Sequence, residues 1–207
     1  MARAGILDTA LLSAPVPYEL HSDFARTAFA VTVGAFLVGE LWQTFRRRRG
    51  ATRAGLRAEL LFRAMLFCAI LLFPFGRAVA PGAAIGGGWV FALGLLIAWL
   101  GLLLRWWSFV SLGQYFTVVV QTSEDQPVVD RGPYRVLRHP SYTGVLLAFA
   151  GCGLMMGNWV STIGAVGVLL AALIFRLRIE ERALEAALGD RYRVFAAGRA
   201  RLVPHVW

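Results

Sequence analysis

The sequence contains no lysine: all 21 of its basic residues are arginine, set against 12 acidic residues for a formal net charge of +9. Cysteine is scarce as well. Cys68 and Cys152 each fall inside an apolar run, and no C-x-x-C pair or Cys/His cluster occurs. That excludes a disulfide framework and a zinc site, and no metal is expected. The N-terminal stretch "MARAGILDTALLSAPVPYEL" lacks an unbroken signal-peptide core, because Asp8 and the prolines interrupt it. Charge of either sign is thin, at 16% of residues, while 58% are hydrophobic. A soluble domain of 207 residues would be less apolar and more charged, so this composition points to an integral membrane protein. In that setting the positive balance reports topology, not nucleic-acid binding. The avoidance of lysine together with abundant alanine suggests a GC-rich, bacterial genome.

Five apolar runs are long enough, or nearly so, to cross a hydrocarbon core of about 30 Å. They cover roughly 24–45, 59–80, 89–107, 142–156 and 160–175. The last two are separated only by "GNW", which permits nothing but a tight helical hairpin. The expected fold is therefore all-α and membrane-embedded, with five transmembrane helices. Residues 1–107 form an N-terminal segment with three of them. Residues 108–207 form a second unit: a polar stretch, the hairpin, and a charged C-terminal helix and tail. The arginines concentrate in the first connection (Arg46 to Arg49, Arg53, Arg57), the central stretch (Arg131, Arg135, Arg138) and the tail. Five spans place all three on one side, so the N-terminus is expected outside and the C-terminus in the cytoplasm. Glu40 and Arg63 lie within or near spans, where a charge needs a partner or an interface, and they can pair with each other.

This topology brings two distant segments together. "RHPSY" enters the hairpin and "FRLRIEERAL" leaves it, at the same membrane depth. Pro140 suits the first turn of a helix, which sets His139 just outside it with its ring free to face a cavity. Arg176 and Glu180 are spaced i, i+4 on a helix and share a face. Each feature has a plainer reading, a structural histidine or a charged helix end at the headgroups. Their convergence is what points to a site.

Together, "GPYRVLRHPSYTG", "RIEERAL", "LGDRYRVF" and "RLVP" resemble the isoprenylcysteine carboxyl methyltransferase family, which is related to the phospholipid methyltransferases. Arg138, His139, Pro140, Tyr142 and Gly144 match its first motif, and Glu180 and Glu181 its second. Gly189, Tyr192 and Pro204 match the third, with Phe195 where a second tyrosine is common. The resemblance covers Arg105 to Pro204. It implies S-adenosyl-L-methionine bound at the cytoplasmic ends of the last helices, S-adenosyl-L-homocysteine as product, and a lipophilic acceptor arriving from among the membrane lipids. Carried over by position, the cofactor-binding residues are Gln121, Gln126, Pro127, Val128, Val129, Tyr134, His139, Pro140, Ser141, Tyr142 and Glu180. Arg176 resembles the arginine that faces the acceptor's carboxylate, with Arg178 as the alternative.

That chemistry suits the residue types. Methyl transfer to an ionised carboxylate needs positioning more than a base, and a guanidinium fork holds a carboxylate well. Two other classes compete. A membrane reductase of the steroid-reductase type would need NADPH, and no G-x-G-x-x-G follows a strand-like segment. A non-catalytic scaffold would use the Arg46–Arg49 run against anionic lipid.

Overall fold

The computed structural model describes residues 22–45, 53–113 and 128–204, with side chains described from 60 onward in the second helix and up to 42 in the first. Gln121, Gln126 and Pro127 lie outside the described residues. Six α-helices occur in these segments: α1 (Asp23–Phe45), α2 (Arg53–Val79), α3 (Gly88–Leu112), α4 (Pro140–Met155), α5 (Trp159–Leu188) and α6 (Asp190–Ala197).

Four of these, α1, α2, α3 and α5, are long and apolar enough to cross a membrane. Helix α4, with 16 residues, is apolar but shorter than these four. At 1.5 Å per residue it reaches about 24 Å. Two other boundaries move outward from the apolar runs. Helix α3 continues past Trp107 to Leu112 because Ser108 Oγ donates to the Leu104 carbonyl at 2.7 Å, which lets a hydroxyl sit buried on a helix. Helix α5 runs as one piece through the charged segment, roughly 45 Å in all.

Helices α3 and α4 make the tightest pair, and glycine makes it possible. A Cβ on Gly94 would meet the Gly151 carbonyl oxygen at 2.7 Å, and one on Gly144 would meet the Gly101 carbonyl oxygen at 2.7 Å. With Ala98 and Ala148 between them, the two helices run antiparallel with their backbones nearly touching, as small residues allow in lipid. Helix α2 packs on α5, and α1 on α3. Ala69, Phe73, Val145, Phe149, Ala165, Leu169 and Leu173 fill the junction of α2, α4 and α5. Only 17% and 11% of the apolar windows of α1 and α2 are buried, against 39% for α3 and α5. The first two helices are therefore peripheral and present leucine and phenylalanine outward.

One end of the bundle is closed by backbone-directed polar groups. Asn158 caps α5, accepting from Ser161 N at 2.9 Å, and its Nδ2 donates to the Ala80 carbonyl at 2.9 Å. Arg77 donates to the Met156 carbonyl at 2.9 Å. The hairpin turns at Gly157, whose φ of 69° favours glycine and whose Cβ would meet the Ile85 carbonyl oxygen at 2.7 Å.

Candidate active site

The other end gathers the chemistry. Gly132, at φ 57°, opens a 3-10 turn (Gly132–Arg135) that buries Pro133 and Tyr134. Residues 137–139 then lie alongside the tail in parallel: Arg138 N donates to the Ala200 carbonyl at 2.8 Å and His139 N to the Arg201 carbonyl at 3.1 Å. Thr143 Oγ1 adds a bond to the Leu202 carbonyl at 2.7 Å. The tail thus straps the first turn of α4. His139 is the N-cap of that helix but makes no side-chain cap, so its ring is available elsewhere. It stacks on Tyr142, with centroids 5.3 Å apart and planes 6° from parallel.

Across the junction, Arg176 Nε donates to the Tyr142 hydroxyl at 2.9 Å, and that hydroxyl donates to Glu180 Oε2 at 2.5 Å. Three side chains from two helices form one hydrogen-bonded chain. His139 Nδ1 lies 3.9 Å from the same carboxylate oxygen. Arg176 is also held from behind, with its guanidinium 4.7 Å over the Phe62 ring of α2. It is buried at 6% exposure, whereas Arg178, two residues on, is exposed.

Glu181 serves the strap. Its Oε1 accepts from Arg138 at 3.2 Å and its Oε2 from Arg201 at 3.0 Å. His139 Nε2 approaches Oε1 at 3.5 Å without forming a hydrogen bond. Arg199 completes the corner through Asp130 at 2.8 Å, the Tyr134 carbonyl at 2.9 Å and the Phe195 ring at 4.4 Å. Burial pushes the Tyr134 hydroxyl well above its ordinary range, reinforced by Glu180 and opposed by Arg105, so it stays protonated.

The N-terminal helices also reach the site. Arg105 of α3 clasps both oxygens of Glu40 on α1, at 2.5 and 2.9 Å. Its third nitrogen donates to the carbonyl and hydroxyl of Ser141, at 3.0 and 2.8 Å. One buried guanidinium therefore ties α1, α3 and the first turn of α4. Sequence reading did not single out Arg105, and its clamp was invisible there because its partners are 65 and 36 residues away.

Of the residues singled out from sequence, Tyr134, His139, Tyr142, Arg176 and Glu180 are brought together. Pro140 and Ser141 are buried beneath them, with the Ser141 hydroxyl engaged by Arg105. Val128 packs on a separate apolar cluster of Leu188, Tyr192 and Phe195, and Val129 is half-buried nearby in the chain. Glu181, Arg138, Arg201 and Phe62 were not singled out for the site. A signal existed for Glu181, adjacent to Glu180, but nothing local marks Phe62.

Comparison with known proteins bears on the fold and the kind of protein this is. Residues 89–191 match the phospholipid methyltransferase family model. Protein-S-isoprenylcysteine O-methyltransferase B of Arabidopsis thaliana is 31% identical over 120 residues, 57% of this chain and 61% of that protein. The Schizosaccharomyces pombe protein-S-isoprenylcysteine O-methyltransferase is 36% identical over 106 residues, 50% of this chain and 44% of its own. The solved structure of a eukaryotic intramembrane Ras methyltransferase, isoprenylcysteine carboxyl methyltransferase, superposes with a TM-score of 0.56 at 26% identity, covering 70% of this chain and 52% of that one. Over about half of its length the chain is thus similar to isoprenylcysteine carboxyl methyltransferases and to the phospholipid methyltransferase family model. It is an integral membrane protein, and its match spans about three fifths of the length of the Arabidopsis relative. The Mycobacterium tuberculosis methanethiol S-methyltransferase is 43% identical over 72 residues, 34% of this chain and 28% of its own. The matched core is thus shared by proteins named for different acceptors.

Proposed function

We propose that the protein transfers the methyl group of S-adenosylmethionine to the carboxylate of a lipophilic acceptor of the isoprenylcysteine type. The observation that carries this reading is the Arg176–Tyr142–Glu180 chain, which sets a cation and a carboxylate side by side at the end of an apolar bundle. The bound donor supplies a methyl carbon already activated by its sulfonium. A carboxylate oxygen bonds to that carbon as the carbon–sulfur bond breaks, and its electron pair leaves with sulfur as S-adenosylhomocysteine. No proton has to move, so no general base is needed.

The residues fit these two ligands. Glu180 keeps Oε1 without a partner among the described residues and is a third exposed, as suits a carboxylate that receives the donor's ammonium. Tyr142 fixes that carboxylate and, stacked with His139, presents a π face that would suit a sulfonium. Arg176, oriented by Tyr142 and Phe62, faces the acceptor carboxylate. Val128, Val129, Tyr134, His139, Pro140 and Ser141 line the donor's side, and Gln121, Gln126 and Pro127, which precede them in sequence, complete the proposed donor set. Helix α4 crosses as a fifth span, the N-terminus is outside, and the site faces the cytoplasm, as the arginine-rich connections require.

A thiol acceptor is the second reading, favoured by the relative named for methanethiol. Labelled methyl transfer in native membranes separates the two. A carboxylate acceptor yields a methyl ester that releases labelled methanol in base, whereas a thioether keeps its label. Purified protein that binds neither S-adenosylmethionine nor S-adenosylhomocysteine, or that binds them unchanged after Glu180→Ala, would overturn the assignment.

A further inference from the structure

Among the described residues, two buried side-chain atoms have no hydrogen-bond partner: His139 Nε2 and the Tyr192 hydroxyl. His139 is 6% exposed and Tyr192 3%. Leaving such groups unmade is costly, so a fold that keeps two of them in one corner is arranged for something other than itself. Both face Glu181. His139 Nε2 is 3.5 Å from its Oε1, and burial raises the Tyr192 hydroxyl's pKa, with Glu181 and Glu180 adding to that and Arg138 opposing it. The two oxygens of Glu181 already accept from Arg138 and Arg201, and neither unpartnered atom bonds them. The Tyr192 hydroxyl is therefore a permanent donor without an acceptor.

Its surroundings indicate what would accept. Tyr192 belongs to the apolar cluster with Leu188 and Phe195, and Val128, from the run expected to contact the donor, packs against it. Glu180 and Leu188 lie on the same helix, separated by roughly 12 Å of axial rise. That leaves an acidic group for an amino-acid ammonium at one end and an aromatic, aliphatic surface with a buried donor at the other. We propose that Tyr192 is a further donor-binding residue, its hydroxyl bonding the nucleoside portion of S-adenosylmethionine while Leu188, Phe195 and Val128 flank it. This rests on the methyltransferase reading above.

The test is equilibrium binding of S-adenosylhomocysteine, and of adenosine as competitor, to purified full-length protein and its Tyr192→Phe and Glu180→Gln variants, with thermal unfolding of each ligand-free protein. Tyr192→Phe should weaken S-adenosylhomocysteine and adenosine alike, by about five- to tenfold, as for a neutral hydrogen bond. Its ligand-free unfolding temperature should be unchanged or higher, since an unsatisfied hydroxyl is removed. Glu180→Gln should weaken S-adenosylhomocysteine but leave adenosine unaffected. Equal binding by wild type and Tyr192→Phe overturns the inference alone. So does a marked fall in the variant's ligand-free unfolding temperature, which would mean that the hydroxyl has a structural partner. Failure of the wild type to bind S-adenosylhomocysteine overturns the methyltransferase reading, and this inference with it.

Discussion

The two ends of the helix bundle use polar side chains in opposite ways. At the hairpin end, Asn158, Ser161 and Arg77 all point at backbone: the Ala80, Phe73 and Met156 carbonyls and the start of α5. At the strapped end, side chains mostly address one another, through Arg176, Tyr142 and Glu180, and through Arg138, Arg201 and Glu181. Backbone carbonyls are fixed by the helices, so bonds to them close a structure and leave nothing to exchange. Side-chain pairs can be rearranged by a ligand. The same helices thus carry a lock at one end and a site at the other, and the two unpartnered buried atoms fall at the site end.

Breaking either end should separate stability from activity, and four changes sharpen the comparison. The largest effect is expected where the site end behaves like a lock. Arg105→Ala strips Glu40 and Ser141 of their shared partner and should cost about 3 kcal/mol of stability, read as thermal unfolding in detergent. Adding Glu40→Gln to it should recover part of that loss. Next, Arg176→Ala should lower methyl transfer by about a hundredfold, the scale of losing a positioned charge stabiliser. Its affinity for S-adenosylhomocysteine should stay within about threefold, since the proposed role of Arg176 is on the acceptor's side. A mutant with full activity would pass the role to another arginine. Third, Asn158→Ala removes a helix cap and a bond to the Ala80 carbonyl, and should cost about 2 kcal/mol. The activity of the protein that remains folded should be unaltered, because the cap is at the far end. The smallest change is Arg178→Ala. Its side chain is exposed on α5, and both unfolding and turnover should match wild type within about twofold.

Much of the site was legible because its parts are local. Pro140 at the first turn of α4, and the i, i+4 placement of Arg176 and Glu180 on α5, follow from short-range geometry. The short hairpin then requires the two segments to meet, and the Tyr142–Glu180 bond realises that convergence. Arg138 shows where such reading stops. The motif match marked it without saying what it holds; in the fold it joins Glu181 to the Arg199 carbonyl of the tail. With 21 arginines available, no local rule says which one meets a given carboxylate.

By itself, then, the sequence determined the helices, their apolar lengths, the hairpin and the pairing of its two flanks. Those depend on hydrophobic runs, proline and glycine positions, and helical spacing, all within a few residues of each other. Tertiary structure decided the rest: Arg105 on Glu40 and Ser141, Phe62 beneath Arg176, the tail against residues 137–139, and Tyr192 buried with Leu188 and Phe195. The reason is the register of α3 against α4. Where Gly94 meets Gly151 and Gly101 meets Gly144, one backbone contact sets the depth of Arg105 relative to Ser141. In a low-dielectric bundle, that depth decides which charged groups find each other.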